Sequence, residues 1–422
     1  MAQIQLIGRR DLFMSVLITT EILGDHPLLT SISTEHLLST TWIRGGDGLI
    51  GFGIHKKFET NGDNRFKAAQ QWWQTQLSEF TIQNNVHGVG TGPIAFSSFS
   101  FDSKENSVLI IPQIIIGQKN GKSWITWIGD IKQPSIEKIK TSSQSGKISW
   151  ENGSVEESKW RDQVSIAVAA IKNGDLEKVV LARDLKAKSA SGINVNNLLQ
   201  RLEIDYPSTW VFLVDGLVGA TPELLVRLSK SLITSRVLAG TIQKTGNEDR
   251  DLALAASLAK SSKDLEEHEY AVKSVAEALA PFCSSTNVPE SPFVLHLSNV
   301  MHLATDVTGV LNDSAKQADI FTLMENLHPS AAVCGTPTEV AKKVISELET
   351  MKRSRYAGPV GWVDAQSDGE IAIALRCGEL SDENKAIRIF AGCGIVAGSD
   401  PATEYAESQA KLMPMRTALE TL

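Results

Sequence analysis

A chain of 422 residues with 42% hydrophobic and 21% charged residues has the composition of a globular protein whose core fills one large domain or two. The formal net charge of −8, without any run rich in lysine and arginine, argues against a nucleic-acid partner. No stretch approaches the roughly 18 apolar residues of a membrane-spanning helix, so we expect no membrane partner.

The N-terminus and the cysteines both favour a cytoplasmic protein. The first residues, MAQIQLIGRRDLFMSV, lack the long apolar run and the cleavage site of a signal peptide. The four cysteines show neither CxxC nor zinc-finger spacing and are typical of reduced thiols.

Residues 1–150 are predicted to form a strand-rich region. One helix is expected at Asn64–Leu77, and a polar, turn-rich stretch over Lys138–Ser154 marks the boundary with residues 151–422. The predicted strands are β-branched or alternating runs at Leu49–Ile54, Pro93–Phe101, Val108–Gly117 and Ser123–Ile128.

Residues 151–422 mix strands and helices without a βαβ rhythm. The predicted helices are Glu157–Lys172, Val195–Ile204, Asp249–Ala259, Lys263–Pro281, Ala315–Asn326 and Val340–Leu348. The predicted strands are Leu176–Lys186, Thr209–Gly219, Ser291–Leu311, Val360–Asp364, Glu370–Cys377 and Ile387–Val396. We therefore expect an α+β fold with mostly antiparallel sheets flanked by helices, with the N-terminal region packed on the same core.

A buried strand near the C-terminus is followed by a well-marked helix. Gly392 and Gly394 interrupt the strand, and their missing side chains allow a ligand or another backbone to come close. Asp400 is a good N-cap and Pro401 fits the first helical turn, so a helix is predicted to begin there.

Acidic residues recur three apart on two predicted helices. Glu404 and Glu407 lie beside the apolar stripe of the last helix, and Asp264 and Glu267 take the same angular positions on the helix KDLEEHEYAV. Carboxylates arranged in this way suit Mg²⁺, which prefers oxygen ligands and accepts a substrate anion. The alternative is a solvated face, in which Glu407 forms an ordinary i,i+4 pair with Lys411.

Four further residues have the chemistry of an active site. Lys178, within a strand, either extends to solvent at a sheet edge or loses its proton readily as a buried general base. Glu223, after a proline, is a candidate for a desolvated and protonated general acid. Arg376 suits a substrate carboxylate, or else a surface ion pair, and His328 is either a loop histidine or a catalyst.

Nine ordered sequence blocks resemble those of the chorismate-utilising enzymes. This family includes isochorismate and salicylate synthases and the large subunits of anthranilate and aminodeoxychorismate synthases. The resemblance covers Glu157 to Leu422 and rests on EKVVLAR, GATPELL, VLAGT, KDLEEHE, LHPSAAVCGTP, YAGPVGW, IALRCG, AGCGIV and EYAESQAKL.

The resemblance implies a magnesium-dependent enzyme that binds chorismate. It assigns Glu267 and Glu407 to the metal directly, with Asp264 and Glu404 acting through water. The substrate-binding residues expected from these blocks are Ala239, Gly240, Thr241, His328, Tyr356, Arg376, Gly392, Gly394 and Lys411.

Particular positions point to the isochorismate synthases within this family. Lys178 matches the lysine that activates water, with Glu223 expected to protonate the hydroxyl leaving C4. Ala239 replaces the lysine nucleophile of aminodeoxychorismate synthases, and Ala332 replaces the threonine of members with lyase activity. Ser408 departs mildly from the usual threonine.

We therefore predict an isochorismate synthase. The alternatives are a salicylate synthase and a non-catalytic chorismate-binding protein. We expect a monomer or weak dimer without an amidotransferase subunit. The sequence leaves open whether the product serves menaquinone, phylloquinone or siderophore synthesis.

Overall fold

The computed structural model describes residues 15–24, 26–33, 37–130, 132–138, 147–312 and 318–421. The signal-peptide expectation falls largely on residues 1–14, which lie outside these ranges, as do residues 139–146 of the predicted boundary. The described α-helices are α1 (Arg65–Glu79), α2 (Glu157–Lys172), α3 (Val195–Asp205), α4 (Glu248–Leu258), α5 (Ser262–Leu279), α6 (Ile320–Leu327), α7 (Thr338–Leu348) and α8 (Pro401–Glu420). Within the described ranges no helix is both long and apolar enough to cross a membrane.

The strands of the first region and its boundary are β1 (Val16–Leu23), β2 (Ser31–Ser33), β3 (Leu38–Arg44), β4 (Asp47–Phe52), β5 (Lys56–Thr60), β6 (Phe80–Asn84), β7 (Ile94–Ser98), β8 (Ser107–Ile111), β9 (Ile114–Lys119), β10 (Lys122–Ile128), β11 (Ile136–Lys138) and β12 (Ile148–Asn152). Those that follow are β13 (Lys178–Ser189), β14 (Trp210–Val214), β15 (Leu217–Thr221), β16 (Leu224–Ser229), β17 (Leu232–Gln243), β18 (Cys283–Asn287), β19 (Phe293–His296), β20 (Val300–Leu311), β21 (Gly335–Thr336), β22 (Pro359–Asp364), β23 (Gly369–Ile373), β24 (Cys377–Ser381) and β25 (Ala386–Ile395).

Two large sheets organise these strands. The first runs β12-β13-β25-β24-β15-β14-β3-β4-β9-β10-β1-β6, with β21 beside β13. The second runs β18-β20-β17-β16-β23-β22-β7-β8-β5, with β19 beside β20. Among the described strands, the β1–β6 pair is parallel and the others are antiparallel, so the predicted α+β fold with mostly antiparallel sheets is confirmed.

Strands from both sides of residue 150 hydrogen bond within the same sheets. In the first sheet β14 pairs with β3, and in the second β22 pairs with β7. The side chains between them merge into one large apolar cluster that includes Trp42, Phe96, Trp210 and Ile371.

Three predicted strands are each two strands in the structure. Thr209–Gly219 turns at Asp215 and Gly216, which both have positive φ and form a two-residue Asp-Gly hairpin between β14 and β15. Val108–Gly117 divides at Pro112, which has no N–H to donate, and its halves join different sheets. Ser291–Leu311 divides into β19 and β20.

The helices agree more closely with the prediction. α2 has the predicted bounds, and α8 begins after Asp400, whose side chain accepts a hydrogen bond from the Thr403 N–H. The predicted helix Ala315–Asn326 begins only at Ile320, after residues 313–317, which are outside the described part of the chain.

Pro414 lies inside α8, where it removes the N–H that would bond the Ala410 carbonyl. The side-chain amide of Asn299 donates to that carbonyl at 2.8 Å instead. The freed carbonyl is therefore satisfied by the turn before β20, which links α8 to the second sheet.

A buried ion pair anchors the start of β13. Arg353 contacts Glu349 at 2.5 Å and also donates to the carbonyls of Val333 and Val180, at 2.9 and 2.7 Å. Glu349 in turn accepts the Ala182 N–H at 2.8 Å. These bonds join β13 to the loop before β21 and to the end of α7.

Arg353→Met is expected to lower the free energy of unfolding by roughly 3–5 kcal/mol, because it leaves the Glu349 carboxylate buried without a counter-charge. Urea denaturation measures the change. Lys343→Met, which removes one partner of an exposed ion pair on α7, is the control and should unfold close to the wild type. A variant at Arg353 as stable as this control would show that the pair does not anchor β13.

Candidate active site

A cavity lies where the two sheets meet α5 and α8. Most of the predicted substrate residues line it: Ala239, Gly240, Thr241, Tyr356, Arg376, Gly392, Gly394 and Lys411. Glu223, Glu267, His302 and Ala332 are also in its wall. The structure thus brings together side chains that are up to about 190 residues apart in the sequence.

Lys178 is the first residue of β13 and has no exposed surface, so the expectation of a lysine reaching solvent does not apply. Its Nζ lies 3.3 Å from Glu267 Oε1 on α5, and it makes no hydrogen bond to another described residue. Gly394 on β25 makes this approach possible, because a Cβ there would overlap the Glu267 carboxylate and lie 3.0 Å from Lys178 Cε.

Glu223 follows β15 and is 5% exposed. Burial raises the pKa of its carboxyl to about 8, and the nearby cations Lys178 and Arg376 oppose this shift without cancelling it. The carboxyl is consequently protonated at neutral pH and can donate a proton or a hydrogen bond in the cavity.

Arg376 is held by a residue that the sequence interpretation missed, His302 on β20. Arg376 Nη2 donates to His302 Nε2 at 3.0 Å, while His302 Nδ1 is 3.1 Å from Thr241 Oγ1 and 3.4 Å from the Gly240 carbonyl. Burial and the adjacent Arg376 lower the pKa of His302 well below its usual value, so the ring is neutral. Because arginine only donates, His302 Nδ1 carries the proton.

Lys411 adds a second cation to the cavity. Its Nζ lies 2.5 Å from Glu407 Oε1 and donates to the Gly392 carbonyl at 3.1 Å. Burial, the largest single influence, favours the neutral amine, but the surrounding anionic groups, Glu407 first among them, together outweigh it and raise the pKa of Lys411. Burial also raises the pKa of Tyr356, which stacks on Phe390 with 5.0 Å between ring centroids and stays a neutral phenol. Two cations and a hydroxyl donor thus face one side of the cavity.

The carboxylates of α8 form a compact cluster. Ligand atoms of Glu404, Glu407 and Cys393 lie within 4.8 Å of one another. Glu404 is 1% exposed; its Oε1 pairs with Lys263 on α5 at 2.6 Å, and its Oε2 has no partner among the described residues. Burial, and then the Glu407 charge, raise the pKa of Glu404 to about 7.

Asp264 and Glu267 face this cluster from α5. Burial raises the pKa of Asp264, with smaller contributions from the charges of Glu267 and Glu407. Gly240, at φ +76°, leaves room for Asp264, whose Cβ would lie 2.9 Å from a Cβ at that glycine. A set of crowded carboxylates with an unpartnered buried oxygen suits a hard divalent cation. The Cys393 thiol is a poor ligand, because burial raises its pKa well above the usual value.

His328 is separated from the other predicted substrate residues. Its ring packs edge-on against Phe101 and Phe66, with centroids 5.9 and 6.4 Å apart, and it lines a different cleft beside Arg65. Burial lowers the pKa of His328 to about 3, so the imidazole is neutral. The structure therefore favours the alternative of a loop histidine over a contact with substrate.

The sequence of this chain matches a known protein family. Residues 30–420 match the model of the chorismate binding enzymes, and the chain belongs to that family. Its members are enzymes, and the resemblance predicted from the nine sequence blocks is confirmed.

Several relatives are isochorismate synthases. Isochorismate synthase MenF of Bacillus subtilis is 32% identical over 405 residues, covering 88% of this chain and 85% of that protein. Isochorismate synthase EntC of Escherichia coli K12 is 32% identical over 360 residues, covering 84% and 87%.

Solved structures show the same fold. A putative 2,3-dihydroxybenzoate-specific isochorismate synthase, DhbC of Bacillus anthracis, superposes with a TM-score of 0.76 and 28% identity, covering 91% of this chain and 97% of that one. The menaquinone-specific MenF of Escherichia coli reaches a TM-score of 0.79 at 22% identity, covering 96% and 95%.

The pKa of Glu223 predicts how stability depends on pH. The folded state binds one more proton than the unfolded state between the ordinary value of 4.5 and about 8, so the contribution of Glu223 to stability is complete below this range and is lost as the pH rises through it. Glutamine does not titrate, so the Glu223→Gln variant does not lose this stability as the pH rises. The free energy of unfolding of the variant relative to wild type should therefore rise from about pH 5 to about pH 8, by at most about 1.4 kcal/mol per pH unit.

Urea denaturation at several pH values measures this difference. Glu339→Gln, at an exposed position on α7, is the control and should give a difference independent of pH. A constant difference for Glu223→Gln as well would contradict a protonated carboxyl at neutral pH.

Proposed function

We propose that this protein is an isochorismate synthase, an isomerase that converts chorismate to isochorismate. The observation that carries the proposal is a buried, protonated glutamic acid in the cavity wall, Glu223, together with a buried lysine, Lys178, in contact with the wall residue Glu267. The chain is 32% identical to two isochorismate synthases over more than four-fifths of its length, and this similarity supports the proposal.

The cations of the cavity suit the two carboxylates of chorismate. Arg376 has N–H groups beyond the one that contacts His302, and its guanidinium can bind a carboxylate through two parallel hydrogen bonds. Lys411 and the Tyr356 hydroxyl lie beside the Gly392 backbone and offer further donors. The substrate ring would then lie between Lys178 and Glu223.

The reaction forms a C–O bond at C2 and breaks one at C4. The free-base form of Lys178 accepts a proton from the water that attacks C2, and Glu267, 3.3 Å from Nζ, stabilises the ammonium form. The ring double bonds shift, and Glu223 gives its proton to the hydroxyl leaving C4. One water enters and one leaves, so no oxidant or second substrate is required.

We also propose that Glu267 and Glu407 hold Mg²⁺ directly, with Asp264 and Glu404 acting through water. The crowding of Glu404 and Glu407 and the unpartnered Glu404 oxygen support a cation beside α8. The division into direct and water-mediated ligands rests on the family resemblance. Bound Mg²⁺ would supply positive charge for the ring carboxylate of the substrate and for the transition state. Lys263 balances part of the acidic charge by pairing with Glu404.

The salicylate synthase alternative requires elimination of pyruvate after isomerisation. Ala332 lines the cavity with only a methyl group, where the lyase relatives are expected to have a threonine hydroxyl. Because Ala332 lacks this hydroxyl, isochorismate is the proposed final product.

Lys178→Ala and Glu223→Gln should each lower kcat by on the order of 100-fold or more, because each removes one proton transfer. Chromatographic measurement of isochorismate gives the rate, and a lactate-dehydrogenase assay detects pyruvate. Lys188→Ala, at an exposed position on the same strand, is the matched control and should retain activity. Activity near wild type in Lys178→Ala would refute the mechanism, and stoichiometric pyruvate from the wild type would establish the alternative.

Removal of metal should abolish turnover, and added Mg²⁺ should restore it. Binding only to the folded state predicts a rise of the melting temperature with Mg²⁺ as well. Glu267→Gln and Glu407→Gln should lose both responses, while Glu266→Gln, at the adjacent exposed position on α5, should keep them. Full activity after exhaustive chelation would reject the metal site without bearing on Lys178 and Glu223.

A further inference from the structure

A second cleft, of about 660 Å³, lies against a different face of α8 from the active-site cavity. Its wall is formed by β12, the N-terminal turn of α2, β13 and α8. Tyr405 and Gln409 of α8 line it, whereas Glu407 and Lys411 of the same helix face the acidic cluster and the cavity. The volume is in the range of small-molecule sites.

Arg183 of β13 lines this cleft and is 3% exposed. Its Nη1 donates to Ser408 Oγ at 3.3 Å, and its Cζ lies 4.6 Å from the centroid of the Tyr405 ring. Its Nε has no hydrogen-bond partner, and no carboxylate of the described chain lies within ion-pair distance of it. A guanidinium that is buried without a counter-ion in contact is costly, so an anion bound beside Arg183 would be stabilising.

The N-terminus of α2 opens onto the same cleft. Glu157 and Ser158, its first two residues, line the cleft, and the N-cap residue Glu156 makes no side-chain capping bond. The first N–H groups of a helix have no partner within the helix, and they carry the positive end of its dipole. Such a terminus is suited to binding an anion.

The carboxylates around the cleft do not neutralise Arg183. Glu151 is paired with Lys188 at 2.8 Å, and Glu157 with Arg161 at 3.5 Å. Glu156 is exposed to solvent. Asp184 and Glu157 act on Arg183 only from beyond ion-pair distance, so the buried cation has no carboxylate in direct contact beside the helix terminus.

We propose that this cleft is a second binding site, in which Arg183 and the N-terminal N–H groups of α2 hold the oxyanion, a carboxylate or a phosphate, of a small metabolite. The site is separate from the catalytic cavity. The cleft contacts α8, the helix that carries Glu407 and Lys411. Ser408 of this helix accepts a hydrogen bond from Arg183 and donates one to the Tyr405 carbonyl at 2.7 Å.

Calorimetric titration of the full chain with inorganic phosphate and, separately, with benzoate tests the proposal. At least one anion should bind, and Arg183→Met should weaken its binding about tenfold or more, the loss expected for a charge-assisted hydrogen bond. Arg376→Met removes a cation of the catalytic cavity instead, so any anion bound in that cavity is lost in this variant and the binding to the cleft should remain. Binding of phosphate alone identifies a phosphorylated ligand, and binding of benzoate alone a carboxylate.

Two variants at Glu157 keep the test decisive if Arg183→Met does not fold. Glu156 is extended, at φ −78° and ψ 158°, so a proline is accommodated after it at the first helical position. Glu157→Pro and Glu157→Gln both remove the carboxylate, but only the proline removes the N–H. The glutamine variant should bind the anion more tightly than wild type, and the proline variant more weakly than the glutamine variant.

The proposal is overturned if neither anion binds the wild type. It is equally overturned if Arg376→Met abolishes binding, or if Glu157→Pro binds as tightly as Glu157→Gln. None of these outcomes depends on whether the chain acts on chorismate.

Discussion

Charges that are removed from water determine the arrangement of the active site. Lys178 has no exposed surface and lies 3.3 Å from Glu267, while Glu404, 1% exposed, pairs with Lys263 at 2.6 Å. A buried ion without a partner costs several kcal/mol, so neither pair can be separated cheaply. Because the partners lie on β13, α5 and α8, the two pairs together fix how α5 sits between the strand and the C-terminal helix.

Glycines leave the space that lets these charged side chains come close to one another. A side chain at Gly394 would occupy the space of the Glu267 carboxylate, and one at Gly240 would crowd Asp264. Gly240 also has φ +76°, at the point where the register of β17 against β20 shifts. The shift leaves Thr241 opposite His302, which in turn holds Arg376. One irregular strand therefore positions both Asp264 and Arg376.

Residues whose roles depend on local periodicity could be predicted, and those that depend on strand register could not. The helical positions of Glu404 and Glu407, and the capping of α8 by Asp400, follow from nearby sequence. His302 reaches the cavity only because β20 places it opposite Thr241, 61 residues away in the chain. His328 belongs to one of the nine sequence blocks, yet Phe66 and Phe101 from the N-terminal region bury its ring away from the cavity.

Burial raises the pKa values of two acids of the site, and their charged neighbours separate their roles. At Glu404 the Glu407 charge adds to burial and Lys263 opposes it, whereas at Glu223 the cations Lys178 and Arg376 oppose burial. A cation bound near Glu404 and Glu407 would reduce their repulsion and favour the carboxylate. It would not remove the burial of Glu223. One glutamate can therefore be an anionic group on α8 while another, in the cavity wall, is a proton donor at the same pH.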